Sequence, residues 1–148
     1  MSDTALDAAP RGRGMAVAYE DLVGRILIAL LFILAGIGKI AGPAPFLAHM
    51  AAHGVPGFLL PEVIALEIGC GFAVLLGVLV RPAALALATF CLATACLFHL
   101  GWSDHVERTM FFKDLAIAGG LFVLAGMRRE ASRLEDRVMI MAGRWFGR

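Results

Sequence analysis

Four uninterrupted apolar runs, at residues 22–41, 61–80, 82–101 and 109–127, constrain this chain more than any other feature. Each comes close to the ~20 residues that carry a helix across ~30 Å of hydrocarbon. Inside a bilayer the backbone must satisfy its own N–H and C=O groups, and a helix does so within one segment. The expected fold is therefore an all-α membrane protein, a four-transmembrane-helix bundle. With 60% of residues hydrophobic and 17% charged, and the charges crowded towards the two ends, the middle of the chain has no polar surface to offer water. Local signals end the runs: Gly42-Pro43 after the first, Arg81-Pro82 as a tight turn between the second and third, and Gly126 closing the fourth. A turn that short makes the second and third spans antiparallel neighbours. Recurrent glycines, as in Gly36, Gly38, Gly69, Gly71, Gly119 and Gly120, suit close helix packing in lipid.

Charge gives the orientation. With four spans both termini share a side, and the flanks on that side hold ten arginines (11, 13, 25, 81, 128, 129, 133, 137, 144 and 148) against Lys39, Arg108 and Lys113 on the other. The excess places both termini in the cytoplasm. Asp3, Asp7, Glu20 and Asp21 make residues 1–21 too acidic for the n-region of a signal peptide, and this stretch reads as a disordered cytoplasmic tail. Residues 128–148 carry Leu134, Val138, Met141 and Trp145 on one stripe and Arg129, Arg133 and Arg137 on another. That is the pattern of a basic amphipathic helix lying on anionic cytoplasmic lipid, with docking to a soluble partner as the alternative. A net charge of +1 argues against nucleic acid. Cys70, Cys91 and Cys96 form no CxxC and read as inert buried thiols.

A spacing of 14 residues recurs on three spans: Arg25 to Lys39, Glu67 to Arg81 and Asp114 to Arg128. At 1.5 Å per residue this is ~21 Å, less than the hydrocarbon thickness. If the arginines mark the cytoplasmic boundary, Lys39, Glu67, Asp114 and Lys113 share one depth in the outer part of the bilayer, with His99 slightly higher. One reading is a set of ion pairs that only fixes helix register. The other is the wall of a polar pocket open to the outer face. In the pocket reading Glu67, His99 and Asp114 are the candidate catalytic groups, with His99 a proton partner for Glu67. Lys39, Lys113 and Trp102 are the candidates for substrate contact. The first outer loop holds a short helical pattern with His49 and His53 at i, i+4 and Gly54 as its stop. No third ligand is adjacent, so it reads as a cap over the outer mouth, and no metal is expected.

Taken in order, Gly24-Arg25, Gly36 with Lys39, Gly54-Val55-Pro56, Glu67 with Gly69 and Gly71, Leu76-Gly77, Arg81-Pro82, His99, Lys113-Asp114 and Gly119-Gly120 resemble the DoxX family of small four-span bacterial inner-membrane proteins. The resemblance covers residues 22–127. It implies a membrane protein of redox homeostasis: relatives are named for the small subunit of a thiosulfate:quinone oxidoreductase, and others are linked to oxidative or quinone stress and to soluble thiol and superoxide-handling enzymes. The sequence has no CxxC, haem-attachment or dinucleotide fingerprint. A catalytic role would therefore use a diffusible quinone or the cofactor of a soluble or membrane redox enzyme. In the quinone reading Lys39, Lys113 or His99 donates to a quinone carbonyl and Glu67 or Asp114 exchanges the proton. A small-solute or proton transporter using the same layer, and a membrane anchor for a soluble redox enzyme, are the alternatives.

Overall fold

A computed structural model describes the backbone of residues 11–101 and 103–146, and the side chains of residues 17–101 and 103–127. Five α-helices follow one another: α1 (Arg11–Ala41), α2 (Pro43–Ala52), α3 (Leu60–Leu76), α4 (Val80–Phe98) and α5 (His105–Phe146), with one 3-10 turn at Gly57–Leu59. The described residues contain no strand. Four segments are long and apolar enough to cross a membrane: Val17–Ala41, Gly57–Leu76, Val80–Phe98 and His105–Met127. The four-span all-α architecture expected from the apolar runs is the architecture observed.

The boundaries differ from the sequence reading in four places, each for a local reason. α1 begins at Arg11, so residues 11–21 are helical and not a disordered tail. They include Met15, Ala16, Ala18 and Glu20, good helix formers, and Asp21 pairs with Arg25 one turn on at 3.1 Å. The α3–α4 turn sits at residues 77–79 and not at Arg81-Pro82. Gly77 takes a left-handed φ of 77°, open to a residue without Cβ, and the N–H of Val78 returns to the carbonyl of Ala73. Pro82 instead occupies the first turn of α4, where its missing N–H costs nothing. α5 starts at His105, four residues before the apolar run, because the Asp104 carboxylate accepts the Val106 N–H at 2.8 Å and caps the helix. Gly126 does not end the helix, which passes through it to Phe146, although the apolar span itself ends at Met127. One internal glycine costs only about 1 kcal/mol, and Met127, Arg128, Arg129, Glu130 and Ala131 all favour helix.

The helices pack as two pairs, α1 on α3 and α4 on α5, joined mainly through α3 and α4. The shared core is small-residue packing. Ala29, Ala84, Leu87, Ala88, Val74 and Leu121 are inaccessible, and alanines let the backbones approach in a solvent that gives no hydrophobic drive between helices. The outward leucines and valines, such as Leu27, Leu34 and Val123, face where lipid would be.

At the end of the bundle away from α2, Arg25 ties α1 to α3. Its Nη1 donates to the carbonyls of Val74 and Leu75 at 3.3 and 3.4 Å, in the last turn of α3 where helix carbonyls run out of intrahelical partners.

Candidate functional site

The opposite end of the bundle holds the charges. Lys39, in the last turn of α1, donates to both carboxylate oxygens of Glu67 on α3 at 2.8 Å. Glu67 is 3% exposed and is the one buried charged residue among those described. Two glycines permit this. A Cβ on Gly36 would lie 2.5 Å from Ile68 Cγ1, and one on Gly71 would lie 2.8 Å from Ile33 Cγ1, so α1 and α3 touch one turn from each member of the pair. The contacts also show how the charges come level. Arg25 and Lys39 are ~21 Å apart along α1, whereas Glu67 and Val74, which they grip, are ~11 Å apart along α3. The two long side chains reach towards each other's level and take up the difference. Lys39 thus reaches inward to Glu67 and does not snorkel out.

The second pair carries a different arrangement. Asp114 on α5 accepts from Thr94 Oγ1 of α4 at 3.0 Å, and His99 Nε2 stands 3.9 Å from the same carboxylate oxygen, Oδ2. The other imidazole nitrogen, Nδ1, meets Glu107 Oε2 at 2.8 Å. The sequence reading paired His99 with Glu67; the structure gives it Glu107 and Asp114, since His99 ends α4 and both carboxylates lie on the helix that packs against α4. Glu107 went unnoticed because it sits in the polar connection; its only signal was the eight-residue interval to His99 across a tight helix-helix corner.

α2 roofs the space between the pairs. Met50 is buried, the Phe46 ring lies 5.1 Å from the Lys39 ammonium, and His49 stacks on Phe98 at 5.0 Å between centroids. His53 turns its Nδ1 to the His49 carbonyl. No group of three or more His, Cys, Asp or Glu side chains among the described residues is placed to hold a metal.

Beneath this roof lies a cleft of about 460 Å³, lined by residues from all five helices. Its polar wall brings together five sequence candidates, Lys39, Glu67, His99, Lys113 and Asp114, with His49 and Thr94 added; Phe32, Phe90, Phe98 and Ile117 make much of the rest. Lys113 joins only at the edge. It is exposed, and its ammonium turns to Met110 Sδ at 3.5 Å. The neighbouring Asp114 takes the inward direction, and residues one apart on a helix cannot share a face. Trp102 lies outside the described residues, as do the side chains of the basic stripe at 128–148. All three cysteines are free; Cys91 lies in the cleft wall.

The DoxX family profile matches residues 21–100 of the chain. The chain is 53% identical over 104 residues to the inner membrane protein YqjF of Escherichia coli K12, a match covering 70% of this chain and 80% of that protein. It is 33% identical over 123 residues to the inner membrane protein YphA of the same organism, covering 78% and 88%. No solved structure matches it.

Proposed function

The chain belongs to the DoxX family, and we propose that this multi-pass inner-membrane protein is a quinone-associated redox subunit whose cleft takes the quinone head group. The observation that carries the reading is the cleft itself. Its volume of about 460 Å³ falls among small-molecule sites, which are apolar and orient their ligand through a few placed polar groups. A quinone ring needs flat apolar walls and a hydrogen-bond donor at a carbonyl. Phe32, Phe90 and Phe98 supply walls. Lys39 has three N–H donors, and Glu67 engages two, which leaves one for a carbonyl. On the facing wall Asp114, backed by Thr94 and His99, is the group to exchange protons. Electrons come from a soluble or membrane redox enzyme acting as partner.

The arginine excess orients the α2 end, and the cleft mouth with it, to the outside, and brings both termini and the basic 128–148 segment to the anionic cytoplasmic surface. A reporter active only in the cytoplasm should work after Arg148, and one active only outside should work in the loop near His53; the reverse result overturns the orientation.

The test of the function is binding. Protein extracted with its native lipid should retain quinone, and in nanodiscs it should bind a short-chain ubiquinone. The double variant Lys39→Met/Glu67→Gln removes both charges together and should weaken binding about tenfold, the loss of one good hydrogen bond to a charged donor. Wild-type protein that binds no quinone, or a double variant that binds as well as wild type, overturns the reading.

A further inference from the structure

Among the described residues a polar connection runs outward from the cleft through a residue the quinone reading does not use. Glu107 stands at the rim in the first turn of α5, with its side chain 30% exposed, and its carboxylate meets His99 Nδ1 at 2.8 Å. His99 Nε2 faces Asp114 Oδ2 at 3.9 Å, and Asp114 lines the cleft. We propose that Glu107, His99 and Asp114 form a proton relay between water at the α2 end and the cleft. The proposal rests on the quinone reading for the use made of the proton.

Imidazole suits the middle position because one nitrogen can take a proton while the other releases one. For inward transfer, the O–H bond of protonated Glu107 breaks as an N–H forms at His99 Nδ1. The N–H at Nε2 then breaks as an O–H forms on Asp114. One proton moves, no electron does, and exchange with water resets the ring. The 3.9 Å step exceeds a hydrogen bond and is crossed through one water or a small turn of the carboxyl.

Thr94 supplies an independent argument. Its hydroxyl lies 2.9 Å from the Cys91 carbonyl and 3.0 Å from Asp114 Oδ2, yet carries a single hydrogen. When Asp114 is ionised the hydroxyl donates to the carboxylate. When Asp114 is protonated the acid donates to the hydroxyl oxygen, whose hydrogen turns to Cys91. Both states keep the same heavy-atom positions, so Asp114 can load and unload a proton without repacking the helices.

Other titratable and charged groups among the described residues stand near the relay. From α2 the His49 ring lies 6.4 Å from the His99 ring. From α1 and α3 the Lys39–Glu67 pair shares the cleft but is closed on itself, and Lys113 borders it from α5.

The experiment follows hydrogen–deuterium exchange of the Asp114 carboxyl by infrared spectroscopy on full-length protein in nanodiscs across a pH series, with the band assigned by its loss in Asp114→Asn. His99→Gln should slow exchange about tenfold or more, and Glu107→Gln several-fold. Glu107→Gln on the exposed rim carries the test if His99→Gln fails to fold. Exchange at the wild-type rate in Glu107→Gln, or no carboxyl band that Asp114→Asn removes, overturns the relay. Binding of a short-chain ubiquinone is measured beside it: Glu107→Gln should bind as wild type does. Absence of binding to wild-type protein defeats the quinone reading while the exchange rates still decide the relay.

Discussion

The two helix pairs hold their buried charge in opposite ways. In α1/α3, both oxygens of Glu67 are taken by one ammonium, and glycine-mediated contacts bring the two helices together on the Arg25 side of the pair. In α4/α5, Asp114 has a hydroxyl at 3.0 Å and an imidazole at 3.9 Å, and the imidazole leads on to a second carboxylate at the rim. The first arrangement closes an ion pair; the second is a chain of groups that each can hold or release a proton. A low-dielectric site makes this contrast sharp, because an ion pair there is worth little net but is costly to break, whereas a hydroxyl–carboxyl contact tolerates either protonation state. The α1/α3 side is therefore the ion-paired wall of the cleft, and the α4/α5 side the wall of the proposed relay.

The largest expected effect breaks the closed side. Glu67→Gln leaves the Lys39 ammonium, only 14% exposed at its side chain, without a counter-charge. Losing one partner of a buried pair costs about 3–5 kcal/mol, less whatever Lys39 recovers by turning towards the lipid surface. Thermal unfolding in a fixed detergent should show the loss, and adding Lys39→Met should recover most of it. A single variant as stable as wild type would mean that Glu67 is not held as an ion in the folded protein.

Next comes the contact that closes the pair. Gly36→Ala places a methyl 2.5 Å from Ile68 Cγ1 and 3.5 Å from Glu67 Cβ, so α1 and α3 must part. Overpacking of this kind costs about 1–3 kcal/mol. Gly119→Ala on α5, with nothing within 4 Å of its added carbon, should cost nothing measurable, since alanine favours helix by roughly 1 kcal/mol. Equal losses for both would remove the argument that glycine positions the ion pair.

Asp114→Asn makes the same carboxylate-to-amide change as Glu67→Gln, on the open side. The amide keeps a hydrogen bond to Thr94, and no buried cation is stranded, so the stability cost should stay below about 1 kcal/mol. Proton exchange at the site disappears with the acid. A loss as large as that of Glu67→Gln would show that Asp114 is also locked in an ion pair, and the contrast between the two walls would fall.

These differences mark what the sequence could and could not say. The four spans were legible because apolar runs of membrane length leave no other fold. That Lys39, Glu67 and Asp114 gather at one end of the bundle was legible because ~1.5 Å per residue turns spacing into height, although the long Lys39 side chain has to make up several ångströms to reach Glu67. Which charge meets which depends on rotation about each helix axis, and spacing is silent on that: Lys113 and Asp114 share a height and point apart. Helix ends were misplaced wherever a cap outvoted hydropathy, as Asp104 did for α5 and Gly77 for α3. Glu107 was overlooked because only the fold at the α4–α5 corner brings it to His99.

The smallest expected effect concerns the join between the pairs. Between Gly77 and the first turn of α4, Leu79 adopts φ 50° and ψ 33°, the left-handed region, and is the one such non-glycine residue among those described. A leucine there costs roughly 1–2 kcal/mol, because its Cβ crowds the following carbonyl. The residue is 72% exposed, so little packing is lost on removing its side chain. Glycine relieves the strain but gives back about 0.5–1 kcal/mol in the freedom of the unfolded chain. The net expectation for Leu79→Gly is a gain of roughly 0.5 kcal/mol. The turn lies at the end of the bundle away from the cleft, so the substitution should change neither quinone binding nor Asp114 exchange. If it does change them, the turn sets how the two pairs sit against each other, and the two walls are mechanically one unit. If stability rises and both site readouts hold still, the pairs are independently built halves joined by a strained but passive turn.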